Sequence, residues 1–194
     1  MIRVGVIGAA GRMGATVCNA VAADPGLELV AVVDSGAPGS TTHGLTIASE
    51  LRALADAKVD VAVDFTVAQA SRVNLPWLAM HSIHAVVGTT GFTQDDLDGF
   101  KKSFTNSNCL IAANFAIGAV LMMRFAEMAS PFFDTAEIIE IHHDGKADSP
   151  SGTAVATAQR MAAASNEWAQ DPTKHEAIKG ARGAKGPEIG RAHV

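Results

Sequence analysis

Cysteine is scarce in this chain. There are two in 194 residues, Cys18 and Cys109, far apart and each in an aliphatic context. They form no metal-ligand or redox spacing, so both are read as buried thiols of a reducing compartment. Charge is sparse as well. Charged residues make up 18% of the chain and the formal net charge is −5. That balance argues against general binding of nucleic acid or an anionic membrane, while leaving room for a local basic site for a small anion. No apolar run approaches the roughly 20 residues of a membrane span. The N-terminus enters a strand directly, without a basic, apolar and small-residue leader, and no internal repeat is found. What is present is globular composition, 48% apolar, long enough for one large domain or two small ones. A cytoplasmic protein is expected.

Strand-like and helix-like segments alternate along the first part of the chain. Aliphatic runs at 3–7, 27–33, 59–65, 84–87 and 109–112 read as strands, and 13–23, 47–57, 67–80 and 94–103 as helices. The stretch 35–42 is a Gly/Pro/Ser/Thr loop. Near-continuous aliphatic strands separated by helices predict a parallel sheet covered on both faces, a doubly wound α/β domain over 1–115. The character then changes. A Met-rich apolar helix at 117–129, a strand at 136–141 and an alanine-rich helix at 153–164 open a second, substrate-handling α+β domain over 116–194. From Trp168 onward the chain is polar and Gly/Lys-rich, with no periodicity.

The segment VGVIGAAGRMG sets Gly8, Gly11 and Gly14 between the first strand and the first helix. G-x-x-G-x-x-G is a weak pattern alone, but its context is specific. A tight turn needs a residue tolerant of positive φ, a pyrophosphate needs backbone with no Cβ in its way, and a helix N-terminus presents free N–H groups. Asp34 ends the second strand about 20 residues further on, where an acid bonds a ribose 2′-hydroxyl. These features predict a Rossmann-type dinucleotide site, with NADH favoured by the acid and NADPH tolerated because of Arg12 and the uncharged Ser35. Gly88-Thr89-Thr90 and Ala113-Asn114-Phe115 follow two further strands. They offer small residues, backbone polar groups and an aromatic edge, and by themselves they are equally well simple βα turns.

The second motif is HHDGKADSPSGT at 142–153. His142 and His143 follow an apolar strand and point to opposite faces, and Asp144-Gly145 is turn chemistry. Ser149 is expected to cap the next helix with Pro150 at its first position, so that Ser151, Gly152 and Thr153 form the first turn. Their N–H groups and the Thr153 hydroxyl make a carboxylate or phosphate site, with Lys146 adding positive charge. A histidine beside such a site can deliver a proton, and a lysine can stabilise developing negative charge. Zinc is not expected, because adjacent histidines on opposite faces do not converge and no cysteine is near.

With these blocks in view, the chain resembles the dihydrodipicolinate reductases of lysine and diaminopimelate biosynthesis. The resemblance rests on VGVIGAAGRMG, VDFT (63–66), HAVVGTTGF (84–92), LIAANFAIGAVLMM (110–123) and, above all, EIIEIHHDGKADSPSGTA (137–154). The third and fourth blocks look most like the actinobacterial form. It implies hydride transfer from NADH or NADPH to a cyclic imine dicarboxylate, with loss of a hydroxyl as water. It further implies His142 as the proton donor, Lys146 as its support, and His143, Ser151, Gly152 and Thr153 as carboxylate ligands. Gly8, Gly11, Arg12, Met13, Gly14, Asp34, Gly88, Thr89, Thr90, Ala112, Ala113, Asn114 and Phe115 would line the cofactor site; no metal is implied.

Two departures from the family pattern stand out. Asp144-Gly145 replaces a more usual basic or Pro-His pair, which should weaken the local positive field modestly. Family members also continue past GARGAKG with strands that complete the second domain and pair subunits into homotetramers. Here that domain is expected to be partial, with 187–194 read as a non-native tail. Such a chain is expected to leave a sheet edge unpaired. Two other readings stand beside the reductase: a different two-domain Rossmann dehydrogenase of amino-acid metabolism, and a cofactor-binding fragment without turnover.

Overall fold

Adjacent residues of strand β1 (Ile2–Ile7) face opposite sides of a sheet, and both sides are buried: Val6 is 0% and Ile7 3% exposed. The same holds for Val32 and Val33 at the end of β2 (Leu27–Val33). Two apolar layers must therefore cover the sheet, because a strand buried on both faces has no side left for water. Helix α1 (Arg12–Ala23) supplies one, with Cys18 packed against Val6, Ala9 and Val32. The other is built by α2 (Arg52–Asp56), α3 (Ala68–Met80) and α4 (Gln94–Ser103), which pack Leu54, Leu75, Leu78 and Phe100 against Ile7, Val33 and Val87. Each fully buried leucine contributes about 2 kcal/mol through lost apolar surface.

The computed structural model describes residues 1–142, 144, 149–165, 167–169, 173–178, 183 and 190–193. It divides into two compact units, Met1–Ala112 and Ala113–Val194. The first contains a hairpin of β3 (Thr41–Thr42) and β4 (Leu45–Thr46) and a five-stranded sheet completed by β5 (Val61–Asp64), β6 (His84–Val87) and β7 (Cys109–Ile111). The sheet order is β2-β1-β5-β6-β7, every pair parallel. The chain thus winds one way from β1 to β2 and the other way from β5 to β7. That reversal opens a crevice beyond the carboxyl ends of β1 and β5, the place where such sheets take ligands.

The expected helix at 47–57 is the main correction. Only Arg52–Asp56 is helical. Ala48 is instead tied to the end of β2, its N–H donating to the Val32 carbonyl at 2.9 Å and its carbonyl accepting the Asp34 N–H at 2.9 Å. Ile47 donates to the Ser40 carbonyl at 2.7 Å and accepts the Gly39 N–H at 2.9 Å. Burial of Ile47 against α1's layer outweighs the weak helical pattern there. The β3–β4 hairpin was likewise not expected; its turn holds His43 and Gly44 at positive φ.

The second unit packs α5 (Ile117–Ala129) and α6 (Gly152–Ala164) beside β8 (Ala136–Ile139). Ala158 and Met161 form its apolar centre with Ala126, Ile138 and Trp168. Its last described strand, β9 (Gly190–His193), pairs parallel with β8, within the stretch read from sequence as a tail.

Candidate functional site

The glycine loop is shaped by close approach. Gly8 sits at φ +82°, and a Cβ there would lie 2.6 Å from the Phe65 carbonyl oxygen. A Cβ on Gly14 would lie 1.9 Å from the Gly8 carbonyl oxygen, so the first turn of α1 can rest on the loop only without one. Gly11 differs. It is the N-cap of α1 in ordinary extended backbone (φ −72°, ψ 162°), gives no side-chain cap, and an added Cβ would meet only the Gly8 oxygen, at 3.2 Å. The first-turn N–H groups of α1 therefore lack both an intrahelical partner and a cap, which suits them to an anion.

Asp34 faces this loop from the end of β2. Its Oδ2 accepts the Ala10 N–H at 3.0 Å and its Oδ1 the Gly36 N–H at 2.8 Å. Each oxygen retains a lone pair for a ribose hydroxyl. Gly8, Gly11 and Asp34 line one cavity of about 350 Å³ with Ser35, Thr66 and Asn74. Arg12, Met13, Gly14 and the 88–90 turn are not among its walls. Arg12 and Met13 are exposed at the start of α1. Gly88 donates its N–H to the Asp64 carbonyl at 2.9 Å, and Ala112 donates to the Val87 carbonyl at 3.1 Å. Thr89 is buried with its hydroxyl on Asp64, while Thr90 is exposed. These features fit a dinucleotide: a Cβ-free cradle, a helix N-terminus and an acid at one sheet edge.

The residues expected to form an anion site are gathered within the second unit. Ser151, not Ser149, caps α6: its Oγ accepts the Ala154 N–H at 3.1 Å, and the helix begins at Gly152. The cap lies at Ser151 because its backbone is extended and its hydroxyl reaches the third N–H of the helix. Ser151 is in turn held by Glu140, which accepts its N–H at 2.8 Å and its hydroxyl. The same carboxylate lies 2.9 Å from His142 Nε2, and the Glu140 side chain is only 10% exposed. Burial pushes the Glu140 carboxyl up, but hydrogen bonds from His142 and Ser151 outweigh it and hold its pKa below the ordinary value. Asn114 is brought to this unit too: its Nδ2 donates to Thr153 Oγ1 at 3.1 Å and its Oδ1 accepts the Ala116 N–H at 2.8 Å.

Asn114, Glu140, His142, Ser151 and Thr153 line one cavity of about 600 Å³ with an apolar wall that includes Met122 and Met161. The sequence-predicted His142, Ser151 and Thr153 are thus brought together, whereas His143 and Lys146 lie outside the described residues. Glu140 was not singled out from the sequence. Its signal was there, an acid in an inward-facing register at the end of an apolar strand.

Comparison with known proteins places both units. Residues 2–115 match the family described as dihydrodipicolinate reductase, N-terminus, and residues 118–193 match dihydrodipicolinate reductase, C-terminus. A 4-hydroxy-tetrahydrodipicolinate reductase of Cutibacterium acnes is 46% identical over 191 residues, covering 95% of this chain and 72% of that protein. One of Nocardia farcinica is 46% identical over 190 residues, covering 94% and 71%. Among solved structures, a dipicolinate-bound dihydrodipicolinate reductase from Paenisporosarcina sp. TG-14 is similar with a TM-score of 0.78 at 37% identity, covering 100% of this chain and 77% of that one. With both units matched, this chain belongs to the dihydrodipicolinate reductase family of NAD(P)H-dependent oxidoreductases.

Proposed function

We propose that the chain reduces 4-hydroxy-tetrahydrodipicolinate to tetrahydrodipicolinate with NADH or NADPH, and that the two cavities are its cofactor and substrate sites. The observation that carries the substrate side is the convergence of His142, Ser151 and Thr153 on one cavity at a capped helix N-terminus. The solved relative is described as dipicolinate-bound, and dipicolinate is a planar dicarboxylate of the kind this site's N–H groups and hydroxyls would hold.

Gly8, Gly11 and the first turn of α1 would take the pyrophosphate and Asp34 the ribose; the bound nicotinamide supplies a hydride. The substrate would lose its hydroxyl as water and be reduced as the cyclic unsaturated imine. His142 delivers the proton that neutralises the reduced ring, and Lys146 offsets the negative charge that develops there before it arrives. His143 and the Gly152–Thr153 turn hold the ring carboxylates. Ser151, whose N–H and hydroxyl both donate to Glu140, positions that turn, and Glu140 fixes both His142 and Ser151. An acid at position 34 supports NADH over NADPH. The acidic net charge of −5 supports a small molecule, not a nucleic acid or an anionic membrane, as the partner.

Calorimetric titration with NADH, then with pyridine-2,6-dicarboxylate, tests this. Binding of the dicarboxylate to the NADH-loaded chain, weakened by His142→Ala, is the expected result. NADH binding without dicarboxylate binding removes the substrate assignment and leaves a cofactor-binding protein. Sedimentation of the same sample tests the homotetramer that the family resemblance implies.

A further inference from the structure

Asp64 closes β5, and its carboxylate is completely buried. Its Oδ1 accepts the Thr66 N–H at 2.9 Å and the hydroxyls of Thr66 at 2.7 Å, Ser71 at 3.2 Å and Thr89 at 3.3 Å. Its Oδ2 accepts the Asn74 side-chain amide at 2.9 Å. A backbone N–H and an amide nitrogen can only donate, so the network is made for the anionic carboxylate. These donors come from three places: the turn after β5, the first half of α3 and the turn after β6. Burying a carboxylate is costly, and an apolar residue would serve a sheet core as well.

The arrangement has a use at the surface above it. Thr66 and Asn74, two of the donors, are walls of the cavity that also holds Gly8, Gly11 and Asp34. Phe65, between Asp64 and Thr66, is the shared neighbour of two glycine turns. A Cβ on Gly8 would meet its carbonyl oxygen at 2.6 Å, and one on Gly88 would meet its ring at 2.0 Å. Whatever fixes the 65–66 turn therefore fixes the glycine loop on one side and the 88–90 turn on the other. Thr89 also accepts the Thr66 N–H at 3.1 Å, joining the two turns directly.

We infer that Asp64 is a positioning residue for the cofactor. It touches no cofactor atom itself, but with Thr89 of the turn after β6 it locks the turn after β5, a wall of that cavity, into shape before the dinucleotide arrives. A preset loop loses less freedom on binding, so the network is expressed as affinity. This rests on the reading of the 350 Å³ cavity as the cofactor site.

The test uses two variants of the full chain, Asp64→Asn and Thr89→Val. The first keeps the shape but turns a donor toward donors; the second removes one bond with little change in volume. NADH dissociation constants are measured by calorimetry well below each variant's thermal midpoint, so that a loss of global stability alone does not move them. The expected result is weakening of about tenfold for Asp64→Asn and about threefold for Thr89→Val, with unchanged far-ultraviolet dichroism. Folded variants that bind NADH within about twofold of the parent chain would overturn the inference. If Asp64→Asn does not fold, Thr89→Val decides by the same criterion. Failure of the parent chain to bind NADH overturns the cofactor reading and this inference together, which distinguishes the two failures.

Discussion

Glu140 Oε2 lies 2.9 Å from His142 Nε2, while Oε1 of the same carboxylate accepts the Ser151 N–H at 2.8 Å. One acid at the end of β8 thus holds the histidine that the proposed reaction needs as proton donor and the residue that caps the helix beneath the anion site. The pairing fixes which ring nitrogen is engaged: a carboxylate oxygen only accepts, so it is Nε2 that donates to Glu140.

A pH signature follows from the direction of the Glu140 shift. Its pKa is held below the ordinary value of 4.5, so its bonds stabilise the folded state fully above that value and are lost as pH falls through the lower folded value. Thermal midpoints of the parent chain and Glu140→Gln should therefore differ most at neutral pH and converge as pH falls through the lowered folded-state value, below 4.5. A difference that is constant with pH would show that the carboxylate's charge is not what matters there. The same variant should weaken dicarboxylate binding, because Ser151 and His142 both lose their anchor.

The glycine loop offers a contrast between two neighbours. Gly14→Ala drives a Cβ against the backbone oxygen of Gly8, an atom that cannot move without dragging the turn. It should cost at least about 3 kcal/mol in denaturant unfolding. Gly11→Ala meets only a 3.2 Å approach in extended backbone, so it should fold with a midpoint close to the parent's. Its loss should appear in NADH titration, where a methyl group now stands in the path of the pyrophosphate. Equal effects of the two substitutions on stability would contradict this division of roles.

How legible these sites were depends on the reach of the interactions that made them. The parallel sheet, and helices such as Gln94–Ser103 and Ile117–Ala129, follow from periodicity and local capping; Thr93, for example, closes a capping box with Asp96. The 47–57 stretch does not, because Ile47 answers to a layer formed by α1, far away in sequence. Ser149 and Ser151 are locally equivalent caps, and what separates them is Glu140, eleven residues before Ser151. Asp64 stood in the motif that marked the resemblance, yet its role rests on donors as distant as Thr89, 25 residues on.

The two cysteines give a chemical check on the first unit. Burial and then the nearby Asp64 charge push the Cys109 thiol up to about 11, and burial raises that of Cys18. Thiolate is the reactive form, so neither should react appreciably with a thiol reagent at pH 8 in the folded chain. Both of the chain's thiols should titrate once denaturant unfolds it. Rapid reaction of a native thiol would mean that the layer around Cys18 or the β7 edge opens readily.

Thr153 gives the sharpest test of how a carboxylate is held. Its Oγ1 already accepts from Asn114 Nδ2 at 3.1 Å, so its own hydroxyl hydrogen is free to donate toward the cavity that it lines with His142. Hydrogen bonds to charged groups contribute about 1.5–3 kcal/mol. Thr153→Val should thus weaken pyridine-2,6-dicarboxylate binding roughly tenfold or more, while Thr153→Ser, which keeps the hydroxyl, should bind nearly as the parent does. NADH affinity should be unchanged in Thr153→Ser, which keeps the acceptor for Asn114. If the valine variant binds the dicarboxylate as tightly as the parent, the α6 N-terminus is not where the ring carboxylate rests.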